Sequence, residues 1–387
     1  MMKIVGRHVI TGEVFAVTRR GDPVWLPTEG SHKGLPLQVN VREWRVTPTD
    51  DAPEPNVFIS PGWIDIQVNG FAGGDFNAAD ATPETVAHIV ARLADEGVVQ
   101  CLPTVITQSH AHMAHCLRTI ANAMAQDANV GEAMAGIHIE GPWISPVDGA
   151  RGAHPLEHAR RPTWDEFERL QDAAQGHIKL VTLAPEIDGA ISFVEQLVRA
   201  GVIVALGHTM ASTQDIANAV QAGATLSTHL GNGAPAMLPR HPNMIWDQLA
   251  DDRLYASAIF DGHHLPAGVM RVLAKVKGPE RLILTSDAVA LARMLPGIYD
   301  AAVGGKVELR ADGRLSVLGT PYLAGSASSL KDGVEHAVRD AGVSLADACR
   351  MASITPAALL DLPQPRGFTV FRWDLAATRA TILCTVR

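Results

Sequence analysis

The chain is poor in cysteine: among 387 residues only Cys101, Cys116, Cys349 and Cys384 occur, far apart and with no Cys-x-x-Cys pair. That argues against a disulfide framework or a thiolate zinc site, and the four read as buried thiols. No apolar run approaches the eighteen residues of a membrane-spanning helix, and the first twenty-five residues lack a signal-peptide core. A soluble, cytoplasmic protein is expected. Positive charge is also scarce. With 32 Lys and Arg against 41 Asp and Glu, a formal net charge of -9, and no lysine-rich tract carrying stacking aromatics, no nucleic-acid partner is expected. An anionic substrate would need a local basic pocket.

What is present is a hydrophobic content of 47% arranged in a pattern. Eight apolar, β-branched stretches recur: "VFISPGWID" (57–65), "VVQCLPTVIT" (98–107), "MAGIHIEG" (134–141), "IKLVTLAPE" (178–186), "VIVALGHT" (202–209), "ATLSTHL" (224–230), "YASAIFDG" (255–262) and "LILTSDA" (282–288). Between them lie helical patterns such as "PETVAHIVARLADEG" (83–97) and "STQDIANAVQAG" (212–223), the second opening on Ser212 and Asp215 at capping-box spacing. Near-continuous apolar strands alternating with helices predict an α/β protein, a (β/α)8 TIM barrel, whose strands are covered on both faces.

Outside the barrel, "EVFAVTRR" and "LQVNVREWRV" near the start, and "GFTVFRWD" and "RATILCTVR" near the end, alternate like strands. They predict a small β-sandwich-like domain split between residues 1–56 and 363–387, around a barrel domain of residues 57–362. "GKVELRADGRLSVLG" (305–319) reads as a hairpin turning on Asp-Gly.

The strand ends carry the chemistry. Seven of the eight stretches end in ionisable or amide residues: Asp65 with Gln67, Glu140, Glu186, His208, His229, Asp261 and Asp287. Barrel enzymes build their active sites at that end, from several strands. One carboxylate, Glu140, with two neutral imidazoles, His208 and His229, suits a divalent metal, zinc first, with a position left for water. Asp287 would supply a carboxylate base beside that water, and the combination points to hydrolysis. "SHAHMAH" (109–115), with His110, His112 and His115, opens a helix and reads as an ordinary solvated face.

Ten stretches in order resemble one family closely: "PGWIDIQVNGFAGGDFN" (61–77), "GIHIEGPWISP" (136–146), "RGAHP" (151–155), "LAPE" (183–186), "GHTMAS" (207–212), "THLGN" (228–232), "FDGHHLP" (260–266), "LTSDAVA" (284–290), "YLAGSASSL" (322–330) and "MASITPAALLDL" (351–362). The chain resembles the N-acetylglucosamine-6-phosphate deacetylases of the amidohydrolase superfamily. The resemblance implies an enzyme that hydrolyses the acetamide of N-acetylglucosamine 6-phosphate to glucosamine 6-phosphate and acetate. It implies one divalent metal ion per subunit, zinc or else iron, cobalt or manganese, held by Glu140, His208 and His229, with Asp287 as acid/base. It also implies that His154 and His264 hold the sugar and acetamide, His154 also stabilising the oxyanion. Asn232 and Gly233 would lie by the phosphate, and Arg240 would reach it from the neighbouring subunit of a homodimer.

Two departures bear on substrate and metal count. After His229 the family has an aromatic and then Asn-Ala-Met, whereas this chain has Gly231-Asn232-Gly233-Ala234, which changes the pocket wall. Many amidohydrolases carry His-x-His after the first strand for a second metal, but Gln67-Val68-Asn69 stands here, so one metal is expected. Arg151 is a second candidate for an anion. The alternatives are a deacetylase of a different N-acyl amino sugar, phosphorylated or not, and a non-catalytic sugar-phosphate-binding protein.

Overall fold

The structure, a computed structural model, describes residues 2–19, 44–301, 305–320 and 322–387. Each of the eight apolar stretches contributes one strand to a parallel sheet in chain order. The strands are Trp63–Val68, Val98–Ile106, Ile137–Glu140, Ile178–Leu183, Ile203–Leu206, Leu226–Ser227, Tyr255–Ile259 and Leu282–Thr285. The sheet curls into a barrel: Val68 bridges Ala288 in parallel, and the buried Asp65 accepts from Thr285 Oγ1 at 2.8 Å and Ser286 N at 3.1 Å. Inside, Ile64, Leu102, Leu180, Leu226 and Ile283 pack with Ala357 and Leu359 of the helix Ile354–Leu359. Ile203 and Tyr255, which begin their strands, join the same cluster, so this helix seals the N-terminal mouth and leaves chemistry to the other.

The surrounding helices start where local chemistry satisfies their free N–H groups. Pro83–Asp95 begins after a Thr82–Thr85 capping box, and Thr213–Gln221 after the Ser212–Asp215 box read from the sequence. No helix among the described residues is long and apolar enough to cross a membrane.

"VFISPGWID" is not one strand. It divides at Gly62, where a Cβ would meet Arg366 O at 2.1 Å and the N–H pairs with Gly367 O at 3.0 Å. Val57–Pro61 therefore joins the six-stranded small sheet, in the order Arg379–Val386, Phe368–Asp374, Val57–Pro61, Met2–His8, Val14–Arg19, Trp44–Pro48. Both chain ends thus complete one sheet; residues 37–43 of "LQVNVREWRV" lie outside the described residues. Trp63 and Phe371, ring centroids 5.5 Å apart and both buried, fasten this sheet to the barrel. Fully burying a phenylalanine stabilises by about 1.5–3 kcal/mol relative to leaving it exposed. The expected hairpin is present as Gly305–Leu309 against Leu315–Val317, with Gly313 at φ +86°, and Gly297–Ala301 adds a third antiparallel strand.

Candidate metal centre

Four of the strand-end residues converge. Glu140 ends the third strand, and His208, His229 and Asp287 lie just past the fifth, sixth and eighth. His208, His229 and Asp287 have left-handed backbones, with φ of 51°, 29° and 48°. A non-glycine residue held there costs roughly 1–3 kcal/mol, so the surrounding contacts over-determine these three positions.

Glu140 Oε1 is the hub, 2.9 Å from His229 Nε2 and 3.2 Å from His208 Nε2, and the two Nε2 atoms are 3.1 Å apart. His208 Nδ1 donates to the Ala150 carbonyl at 3.0 Å, which leaves its Nε2 with a lone pair facing the cluster. All three side chains are buried. An electron-rich triangle of this kind needs a positive charge at its centre, a proton or a cation. A tetrahedral ion with bonds of about 2.0–2.1 Å sets its donors about 3.3 Å apart, close to the spacing found, so the residues fit a zinc-like ion. His154 completes the wall: its ligand-capable atom, with those of Glu140 and His208, falls in a group within 4.8 Å, and its Nε2 is 3.7 Å from Glu140 Oε2.

The electrostatics follow from this enclosure. Burial opposes charge on Glu140, but hydrogen bonds with His208 and His229 outweigh it and hold the carboxyl well below the usual carboxylate range. Burial opposes charge on His229 too, and the Glu140 contact overcomes it, raising that imidazole. Burial, helped by the nearby His208, pushes His154 down to about 3, so it stays neutral. Burial and then the Glu140 charge push Asp287 up to about 6.

Gln67 and Asn69, expected only as non-ligands, are built into the centre. Gln67 Nε2 donates to Glu140 Oε1 at 2.8 Å and to Asp287 Oδ1 at 3.1 Å, and Asn69 Nδ2 donates to the same Oδ1 at 2.7 Å. Deeper in the barrel, His138 Nε2 lies 2.7 Å from Thr182 Oγ1, which lies 2.7 Å from Thr228 Oγ1. Burial lowers His138 to about 4. In the sequence His138 is marked only as an imidazole two residues before Glu140.

The remaining strand-end residues brace the rim. Glu186 accepts from Thr209 Oγ1 and from Met210 N at 2.6 Å. Asp261 accepts from His264 Nδ1 at 2.6 Å and His264 N at 2.8 Å, which frees His264 Nε2. His264 lies close enough to draw the Asp287 carboxyl down. A Cβ at Gly233 would lie 3.0 Å from His208 Nδ1 and 3.2 Å from His229 Cε1, and Asn232 N donates to His229 O at 2.9 Å. Arg240 is exposed in the loop beyond, and its side chain makes no hydrogen bond or ion pair among the described residues. Arg151 is occupied, donating to His154 O at 2.6 Å and Asp148 Oδ1 at 3.2 Å. Of the "SHAHMAH" imidazoles, His112 bonds Asn77 O at 2.8 Å and His110 lies 3.4 Å from Glu166.

Four buried polar atoms at this site have no partner among the described residues: His154 Nδ1, His229 Nδ1, Asn232 Nδ2 and Asn69 Oδ1. Each orphan costs free energy unless a ligand satisfies it, so they outline a polar binding site.

The chain is similar over most of its length to known proteins. Residues 58–367 match the amidohydrolase family. The N-acetylglucosamine-6-phosphate deacetylase of Bacillus subtilis (strain 168) is 32% identical over 318 residues, covering 82% of this chain and 78% of that protein. The N-acetylgalactosamine-6-phosphate deacetylase of Escherichia coli O157:H7 is 33% identical over 302 residues, covering 78% of each. Among solved structures, a mutant N-acetyl-D-glucosamine-6-phosphate deacetylase from Mycobacterium smegmatis, in complex with N-acetyl-D-glucosamine-6-phosphate, superposes with a TM-score of 0.77. It is 30% identical and covers 88% of this chain and 93% of that one.

Proposed function

Because the chain belongs to the N-acetylglucosamine-6-phosphate deacetylase family of amidohydrolases, we propose that it hydrolyses the acetamide of N-acetylglucosamine 6-phosphate, releasing acetate and glucosamine 6-phosphate. The observation that carries this reading is the meeting of Glu140, His208 and His229 with a carboxylate, Asp287, one amide away. A zinc ion held by Glu140, His208 and His229 would polarise the acetamide carbonyl and acidify the attacking water.

The chain's own residues do the rest. Asp287 takes the proton of the attacking water and returns it to the nitrogen as the C–N bond breaks. His154, kept neutral, donates a hydrogen bond to the oxygen on which charge develops. His264, fixed through Nδ1 by Asp261, offers Nε2 to the sugar. Asn232 and the backbone at Gly233 lie by the phosphate. Arg240 joins them from a neighbouring subunit of a homodimer; its exposure, and the lack of a side-chain partner among the described residues, support that assignment.

A second reading, a deacetylase of another N-acyl amino sugar, is favoured by the Gly231–Ala234 turn. Gly231 and Gly233 carry no side chain beside the pocket that holds His208 and Asn232. Acetate release by zinc-loaded protein should be measured on N-acetylglucosamine 6-phosphate, its galacto epimer and plain N-acetylglucosamine. Turnover confined to the first supports the main reading, whereas preference for either of the others supports the second.

A further inference from the structure

Asp287 is held from two directions by a single tripeptide. Its backbone, in the left-handed region, donates N–H to Gln67 O at 3.0 Å, while Asn69 N donates to Ala288 O at 2.8 Å and Val68 bridges Ala288. Its side chain accepts from Gln67 Nε2 and Asn69 Nδ2, both at Oδ1. An ionised carboxylate oxygen offers about two lone-pair sites, and two amide donors fill them. Oδ2 takes no hydrogen bond among the described residues. The same Gln67 amide also donates to Glu140 Oε1, so neutral N–H groups lie where two negative charges would otherwise face each other.

We propose that Gln67 and Asn69 are positioning residues that occupy Oδ1 of Asp287 and thereby make Oδ2 the atom that exchanges the proton. Oδ2 receives the proton as the water oxygen bonds to the acetamide carbon, and it gives that proton to the nitrogen when the C–N bond breaks. The amides so serve a place where histidines would bind a second metal: they hold the base by hydrogen bonds. This inference rests on the function proposed above.

The division of labour between the two amides supplies the test. Among the described residues the Asn69 side chain hydrogen-bonds only Asp287, so Asn69→Ala, which keeps the backbone bonds, should lower kcat roughly 10–100-fold, leave KM within about twofold, and keep zinc content and melting temperature unchanged. Asn69→Asp, equal in size but lacking the donor, should lose at least as much. Gln67→Ala should lower kcat and also weaken zinc binding roughly 10–100-fold, because it frees Glu140 as well. Crystal structures of zinc-loaded wild type and Asn69→Ala form the second arm, with the Asp287 carboxylate turned away from its wild-type pose in the variant. A folded, zinc-loaded Asn69→Ala protein with near-normal kcat, or with Asp287 unmoved, overturns the proposal. If wild type releases acetate from none of the amino sugars, the functional reading fails by itself, and the crystallographic arm still decides whether the amides position Asp287.

Discussion

Gly233 lies against the imidazole of His208: a Cβ there would come within 3.0 Å of Nδ1, the nitrogen that already donates to Ala150 O. The Gly231–Ala234 turn therefore packs directly against two imidazoles of the candidate metal centre. Gly233 also has φ +58°, a conformation that costs a side-chain-bearing residue about 1–2 kcal/mol and suits β-branched residues least. Gly233→Val should strain the turn and tilt His208, weakening zinc affinity by roughly 10–100-fold. Zinc titration with a competing chelator measures it, and an unchanged affinity would show that the turn yields instead of the histidine.

Replacing Asp287, the proposed base, separates chemistry from metal binding. Asp287→Asn keeps the shape, and its Oδ1 can still accept from Asn69 Nδ2, but it cannot take a proton. Turnover should fall by about 10²–10⁴-fold or more, the range for losing a general base, with zinc still bound through Glu140, His208 and His229. Steady-state kinetics beside metal analysis checks this, and a variant with near-normal kcat removes Asp287 from the role.

The pH profile should report the same carboxylate. In its proposed role Asp287 acts as a base only when ionised, and burial together with the Glu140 charge raises it to about 6. Activity should therefore fall as pH drops through the acid limb. A bound cation favours the ionised form and moves that limb downward, to about 6 or below. The acid limb of kcat/KM measures it; a limb well above 6 would point to a different group.

The barrel was legible because its strands are continuous apolar runs with helices between, and that pattern depends only on neighbours in the chain. Glu140, His208, His229 and Asp287 were legible as strand-end residues for the same reason. The division at Gly62 was not, because it depends on a carbonyl contributed by Arg366, some 300 residues away in sequence. Nor was the use of Gln67 and Asn69: their residue types ruled out strong ligation, but their bonds to Asp287 span 220 and 218 positions. Asp65, Glu186 and Asp261 carried the same strand-end signature as the central residues and serve as braces. Sequence position finds the rim of such a barrel, whereas side-chain direction decides which rim residues meet.

Asp261 offers a test of one brace. Burial alone would raise this carboxyl, but the hydrogen bond from His264, its charge and the backbone N–H groups of His263 and His264 outweigh it, bringing Asp261 down to about 2. A carboxyl depressed below its unfolded value of 3.8 stabilises the fold fully above that value, and the contribution is lost as pH falls through about 2. Asp261→Asn keeps the size but loses the charge, so it should melt at lower temperature than wild type by a margin constant above about pH 5 and narrowing below 3.8. Because the same pair frees His264 Nε2, the variant should also raise KM more than it lowers kcat. Melting curves across the acid range and kinetics at neutral pH check both halves. A melting margin that persists undiminished at low pH would mean that Asp261 stabilises through its neutral hydrogen bonds and not through its charge.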